Sequence, residues 1–273
     1  MDGVVPITSC KFIETLAILS VAANLFYQTP EMKRTIATLL LVYALWPAGA
    51  QPRPKDFYPT HKSPVDVSAK AQQGFERRNR LLDKEKLNPE EQKELNTLLT
   101  TYDETLDSVW DIIGHECSWY CGGGNYKIKA SSSLPDSSGI SYGAKSANDL
   151  SYRTVWVEGK KGEGKGEYLE YFFKNESPRI TSIIISNGYI KTKAAWHANN
   201  RVKTLKLLVN GKPYGLLHLH DTTDDQSFDI GKLGRNKNGS DLVLRFEIVD
   251  VYKGDKHNDT AITEIYFDGI DVH

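Results

Sequence analysis

The stretch Ser186–Leu207, SNGYIKTKAAWHANNRVKTLKL, gathers Asn187, Tyr189, Trp196, His197, Asn199, Asn200 and Arg201 between two runs rich in branched residues. A sugar presents alternating hydroxyl edges and C–H faces. A site for one needs an aromatic platform with amide, imidazole and cationic groups fixed around it, and this stretch holds those types. A second polar and aromatic loop, VYKGDKHNDT at residues 251–260, adds Tyr252 and His257. Loops of a β-sandwich cluster at its two ends, so both loops can face one ligand. The alternative is that Trp196 and Tyr252 cap the end of the fold and that Arg201 pairs with an acid.

Other chemistries fit less well. Asp149, Thr154 and Glu264 are oxygen donors set just before strand-like runs. Calcium takes six to eight oxygens, backbone carbonyls included, so a structural calcium is one reading of the three. The other is that Asp149 caps a turn and Glu264 pairs with Arg153 or Arg245. His218 and His220 share a strand face but lack an evident third metal ligand. GEGKG, residues 162–166, is followed by the strand-like EYLEYFF and not by a helix that could offer its N-terminus to a phosphate, so it reads as a mobile surface turn. No G-x-S-x-G or H-E-x-x-H motif occurs, and no spacing of acids picks out a general acid and base. The expectation is a binding protein without catalytic residues, needing no cofactor beyond that calcium.

The elements that must hold these residues are legible as a change of period. Residues 51–68 carry four prolines and read as an extended linker. Residues 69–114 read as a helical hairpin. Asn88 and Pro89 open its second helix, Leu95, Leu98, Leu99, Tyr102, Leu106, Val109, Trp110 and Ile113 make one apolar face, and Gly114 ends it. That face packs on a neighbouring element or takes a protein partner. From residue 115 to 273 about eight short runs alternate with Gly and Asn turns: Tyr126–Ile128, Tyr168–Phe173, Ile180–Ile185, Lys203–Val209, Tyr214–Leu219, Ser227–Ile230, Leu242–Tyr252 and Ile262–Ile270. Such spacing predicts a mainly β fold, an antiparallel jelly-roll β-sandwich.

The first fifty residues differ in kind. Met32–Gln51 has a basic start, an apolar centre, and Ala48 and Ala50 before Gln51, the layout of a secretory signal cleaved between Ala50 and Gln51. On this reading Met32 is the true start and the protein is secreted or held in the cell envelope. The alternative is an uncleaved membrane anchor, the only membrane contact expected. Export leaves Cys117 and Cys121 as an even pair in an oxidising compartment, where they can close a disulfide; two reduced, buried thiols are the alternative. A net charge of −1 over 273 residues gives no basic field for nucleic acid.

CSWYCGGG, VWVEGKKGEGKGEYLEYFF, IISNGYIKTKAAWHANNRVKTLKLLVNGKPYG and LRFEIVDVYKGDKHNDTAITEIYFDG together resemble the translocation and glycan-binding domain that accompanies bacterial NAD glycohydrolase toxins. That domain is similar to the discoidin, or coagulation-factor C-type, modules with a galactose-binding-like fold. The resemblance spans about Cys117 to Val272. It implies a strand core that includes Trp156, Tyr168, Ile183, Leu205, Phe246 and Ile265, a ligand wall at Trp196–Arg201, and a calcium at Asp149 and Glu264. A glycan or glycoconjugate is the implied partner. The alternative is a protein-interaction or structural module of the bacterial envelope, using the same loops or the helical face. No segment resembles the toxins' NAD-cleaving domain, so NAD hydrolysis is not carried over.

Overall fold

The computed structural model describes residues 54–272. The apolar N-terminal stretches, Met32 and the Ala50–Gln51 cleavage site lie outside the described residues. Among those described, no helix is long and apolar enough to cross a membrane.

Helix α1 (Ala69–Leu82) starts where the Ser68 hydroxyl accepts the Ala71 N–H. Helix α2 (Pro89–Thr101) starts at a capping box, in which Asn88 and Glu91 exchange side-chain to backbone hydrogen bonds. Each cap satisfies N–H groups that a helix start leaves without partners. The apolar period predicts helix as far as Ile113, but α2 stops at Thr101. The cause is local. Thr100 and Thr101 both turn their hydroxyls back onto the Thr97 carbonyl, and the Asp103 carboxylate accepts from the N–H and hydroxyl of Thr105. Such turns compete with helical hydrogen bonding. The buried Arg78 then donates to the carbonyls of Asp103 and Leu106, which fixes the non-helical path. Ala71, Phe75 and Val109 form a small core with Tyr102, Leu106 and Trp110 packed on it, so much of the expected apolar face is used within the chain.

The strands are β1 (Lys55–Phe57), β2 (His61–Ser63), β3 (Lys127–Ala130), β4 (Trp156–Val157), β5 (Tyr168–Phe173), β6 (Arg179–Asn187), β7 (Asn200–Val209), β8 (Lys212–His218), β9 (Asp225–Leu233), β10 (Leu242–Tyr252) and β11 (Thr260–Ile270). They make a jelly-roll-like sandwich of two layers joined through β11. Residues 264–270 of β11 pair antiparallel with β6, which continues through β9 to β2. Its first residues pair parallel with β7, which continues through β10 and β5 to β3. Alternate residues of both layers face inward. Tyr171, Phe173, Phe246 and Phe267 meet there, with ring centroids 5.0 Å apart for Phe173–Phe267 and 5.1 Å for Tyr171–Phe267. Trp156, Ile183, Leu205, Phe246 and Ile265 are core, as the resemblance implies. Tyr168 is not: alternation turns Leu169 inward and leaves Tyr168 half-buried on the outer face, under the Arg245 guanidinium.

The proline-rich stretch is no free linker within the described residues. β1 pairs parallel with β8, and β2 pairs antiparallel with β9, at sheet edges where proline is tolerated. Phe57 is 5% exposed and stacks on Tyr214. Gly215 makes this approach possible, because a Cβ there would overlap the Phe57 ring and the Lys55 carbonyl. Residues 149–152 lie over the outer face of the β9–β6–β11 layer, where the buried Asp225 carboxylate accepts from the Ser186, Tyr152 and Tyr266 hydroxyls. Desolvation raises the Asp225 pKa, and those three hydroxyl donors oppose the rise.

Phe57→Ala should therefore cost about 3 kcal/mol, as loss of a buried ring does. Urea denaturation checks this. Tyr58→Ala, one residue on at 63% exposed, should shift stability by no more than about 0.5 kcal/mol.

Candidate functional site

At one end of the sandwich the β6–β7, β8–β9 and β10–β11 connections meet. The expected loop after β6 contains a short helix, α3 (Lys193–Ala198), whose first turn is capped by Thr192. Most of the sequence-predicted ligand residues prove to be the scaffold of this end. Asn187 donates to the Val202 carbonyl at 2.7 Å and accepts the Val202 N–H at 2.9 Å, closing β6 onto β7. Asn200 donates to the Asn258 carbonyl and accepts the Gly254 N–H, which holds the β10–β11 loop. Asn199 donates to the Ala195 carbonyl. Tyr252 is half-buried and donates to the Leu219 carbonyl, and Tyr189 packs beside Val155, Val157 and Ala261. His257 is exposed, with its backbone N–H on the Ala198 carbonyl.

Trp196 is 8% exposed and donates its indole N–H to the Asn187 carbonyl, so it is no open platform. The Arg201 guanidinium lies 4.4 Å over its ring. Arg201 is 6% exposed; it grips both oxygens of Asp221 at 3.0 and 2.9 Å and donates to the carbonyls of Asn199 and Lys253. Gly188, with φ +80°, lets the chain turn tightly beside them, since a Cβ would overlap Arg201 and the Trp196 indole.

What the scaffold leaves open is a groove of about 740 Å³. Trp196 and His197 are the two predicted residues that line it. Lys191 and Lys193 join them, with Thr222 from the β8–β9 connection and Gln72 from α1. Lys191 and Lys193 stand in the quoted stretch, where their type alone does not set them apart from other surface lysines, and Thr222 lies beyond the following hairpin. Gln72 had no signal at all, because tertiary packing alone carries α1 to this end. The other sequence-level candidates are dispersed. His218 bonds Asp56 at 2.7 Å and stacks on Tyr58, which leaves no shared metal position with the exposed His220. The GEGKG turn is anchored: Gly164 packs on the buried Glu158, and the Glu163 carbonyl accepts the Thr260 hydroxyl.

Asp149, Thr154 and Glu264 do come together. Leu150 adopts a left-handed φ of 57°, and the N–H groups of Asp149 and Leu150 both reach Glu264 Oε2, at 3.1 and 3.0 Å. Thr154 donates to the Asp149 carboxylate at 2.8 Å. Glu264 Oε1 is buried with no hydrogen-bond partner. Burial first, and the Asp149 charge second, push the Glu264 pKa well above the usual carboxylate range. The alternative ion pairs do not form: Arg245 bonds Glu170, and Arg153 lies over the Trp110 ring. Among the described residues no group of three or more His, Cys, Asp or Glu is placed to hold a metal ion. An orphaned, buried carboxylate oxygen beside a second carboxylate nonetheless fits a hard cation that draws its remaining oxygens from carbonyls and water.

Cys117 and Cys121 are exposed rather than buried, and the expected bond is not made: their sulfurs lie 2.6 Å apart, whereas an S–S bond measures about 2.05 Å.

A two-layer jelly-roll-like sandwich with a loop-end groove defines the class of this protein. The sequence profile of the NAD glycohydrolase translocation F5/8 type C domain matches residues 119–268, more than half of the chain, and the protein belongs to that family. No curated protein matches it. Among solved structures it is similar to the CBM32-1 and CBM32-2 domains of Clostridium perfringens ZmpB in complex with GalNAc, at 16% identity over 54% of this chain and 35% of that one, with a TM-score of 0.40. It is also similar to CpGH89CBM32-5 from Clostridium perfringens in complex with GalNAc-β-1,3-galactose, at 15% identity over 52% and 94% of the two chains, TM-score 0.36. A third is the mycobacterial arabinofuranosyltransferase AftD (mutant R1389S), at 16% identity over 52% of this chain and 11% of that one, TM-score 0.35. The match thus spans about a third of the first and a tenth of the third.

Arg201→Ala should destabilise the fold by about 2 kcal/mol, because it removes the hydrogen bonds that join three loops and uncovers Trp196, while Asp221, already exposed, stays solvated. Arg201→Lys should recover little of this, since an ammonium cannot make the bidentate grip. Chemical denaturation of both variants checks the order.

Proposed function

We propose that this protein is a non-catalytic module that binds glycan in the groove walled by Trp196 and His197. The observation that carries the reading is the groove itself. Its volume lies in the range of small-ligand sites, and it joins an apolar wall to a few polar groups on loops that the Arg201 and Asn200 contacts hold in place. The indole contributes an edge of that wall instead of a free face. Gln72 donates its amide to the Val67 carbonyl, which leaves its oxygen for a sugar hydroxyl. Binding through one shallow site that retains water is weak.

The test is a glycan array followed by calorimetry. A Kd of about 0.1–1 mM is expected for a single saccharide. The pair His197→Ala and Gln72→Ala should weaken it about fivefold or more with the melting temperature unchanged. Glycan binding indifferent to both substitutions, or none at all, would sink the reading.

Calcium belongs to the same proposal. Glu264 Oε1, Asp149 and Thr154 would hold it, and it would tie the Asp149–Thr154 turn to β11. Millimolar calcium should raise the melting temperature by about 5–10 °C over a chelated sample, as a ligand in roughly hundredfold excess over its Kd does. Glu264→Gln should abolish the increment; an equal increment in that variant would rule the site out. We place the protein outside the cytoplasm, secreted or in the envelope, on the strength of the Met32–Gln51 signal pattern. There Cys117 and Cys121, adjacent through the Trp119–Cys121 turn, would close as a disulfide.

A further inference from the structure

The groove differs in charge from the surface around it. At this end of the sandwich Arg201 pairs with Asp221, Lys203 with Asp250, Lys165 with Glu163 and Asp250, Lys253 with Glu163, and Lys160 with Glu167. Lys191 and Lys193, two residues apart on the groove wall, form no ion pair among the described residues. Lys161 and Lys256 are also unpaired, but they lie outside the groove. The acid among the lining residues is Asp66, and one of its oxygens already accepts the Ser68 N–H at 2.9 Å.

The neutral polar groups have the same polarity. Thr192 Oγ1 accepts the Ala195 N–H, and Thr222 Oγ1 accepts the Asp224 N–H. A hydroxyl that accepts from the backbone keeps its own proton to give away. Two ammonium groups and two hydroxyls therefore present donors, against two spare acceptors, the amide oxygen of Gln72 and the second carboxylate oxygen of Asp66. Such a site is short of acceptors in the ligand, and a neutral sugar brings mostly hydroxyls. Two like charges on one wall also repel each other until an anion lies between them, beside low-dielectric Ile190 and Trp196.

We infer that the ligand is an anionic saccharide: a sugar whose ring lies along the apolar wall and whose carboxylate or sulfate is held by Lys191 and Lys193. This deepens the glycan reading above and rests on it. The experiment is an array carrying matched neutral, sialylated, uronate and sulfated glycans, probed with the full chain. The preferred glycan is then titrated against its neutral parent, with inorganic sulfate as a separate arm. Acidic members should dominate, with about tenfold tighter binding than the neutral parent at low salt and a smaller margin at about 300 mM salt. Lys191→Ala with Lys193→Ala should erase the margin and leave binding of the neutral parent in place. Sialylated or uronate members in the lead would assign the carboxylate, and sulfated members the sulfate. Equal binding of neutral and acidic partners, or a margin that survives the double substitution, overturns the inference while the glycan reading stands. Inorganic sulfate binding as tightly as the acidic glycan overturns it as well. An array with nothing bound removes both.

Discussion

A guanidinium inside a protein must have its donors matched, and the fold at the ligand end is arranged around meeting that demand for Arg201. Four of its N–H groups reach the Asp221 carboxylate and the carbonyls of Asn199 and Lys253, so one side chain ties the β8–β9 connection, the end of α3 and the β10–β11 connection together. Its flat face covers Trp196. An unpaired buried charge costs several kcal/mol, so none of these partners can swing away alone. Loops that would otherwise be the most mobile part of a sandwich become a fixed rim.

That constraint explains why the conspicuous residues are not the ones left facing solvent. Amides that can imitate a backbone strand, as Asn187 does with Val202, are the cheapest way to satisfy buried carbonyl and N–H groups where the ladder ends. Asn200 does the same for the next loop. The groove is bounded by what these contacts do not need: long cations whose heads stay in water, small hydroxyl residues, and the edge of an indole.

The sequence was a good guide to periodicity and a poor one to partnership. Alternation in Tyr168–Phe173 or Leu242–Tyr252 follows from one buried face, a local property, and all eight strand runs are strands in the structure. The second helix was legible at its start, where Asn88 and Pro89 act within one turn. Its end was not, because an apolar stripe through Leu106 and Val109 reads alike whether a helix or a sequence of turns delivers it to Phe75; Asp103–Thr105 was the local sign of the break. Trp196 and Arg201 carried an even choice between ligand and packing. Only the path of the chain decides it, since Asp221 lies twenty residues from Arg201, beyond the rest of β7 and all of β8. β1 and β2 were invisible because three-residue edge strands have no period to read.

The outer face of the β9–β6–β11 layer shows that the folding unit is larger than the family match. Asp225 and Glu264 point outward from that layer and are buried nonetheless. A carboxylate in such a place is tolerable only with donors supplied to it. For Glu264 they come from Asp149 and Leu150, and for Asp225 from Tyr152 together with Ser186 and Tyr266 of the layer itself; the chain that carries residues 149–152 is fixed in turn by the Tyr152 N–H on the Trp110 carbonyl and the Ile112 N–H on the Leu150 carbonyl. Trp110 packs on the small core of α1. Strand β1 adds Phe57 to the main core from the other side. Residues from Lys55 onward, well before position 119 where the family profile begins, are therefore bound into the sandwich by strand pairing, by the buried Phe57 ring and by backbone hydrogen bonds, and not merely tethered to it. The same packing sets α1 beside α3, and without that neighbour Lys191 and Lys193 would stand on an open surface with no second wall.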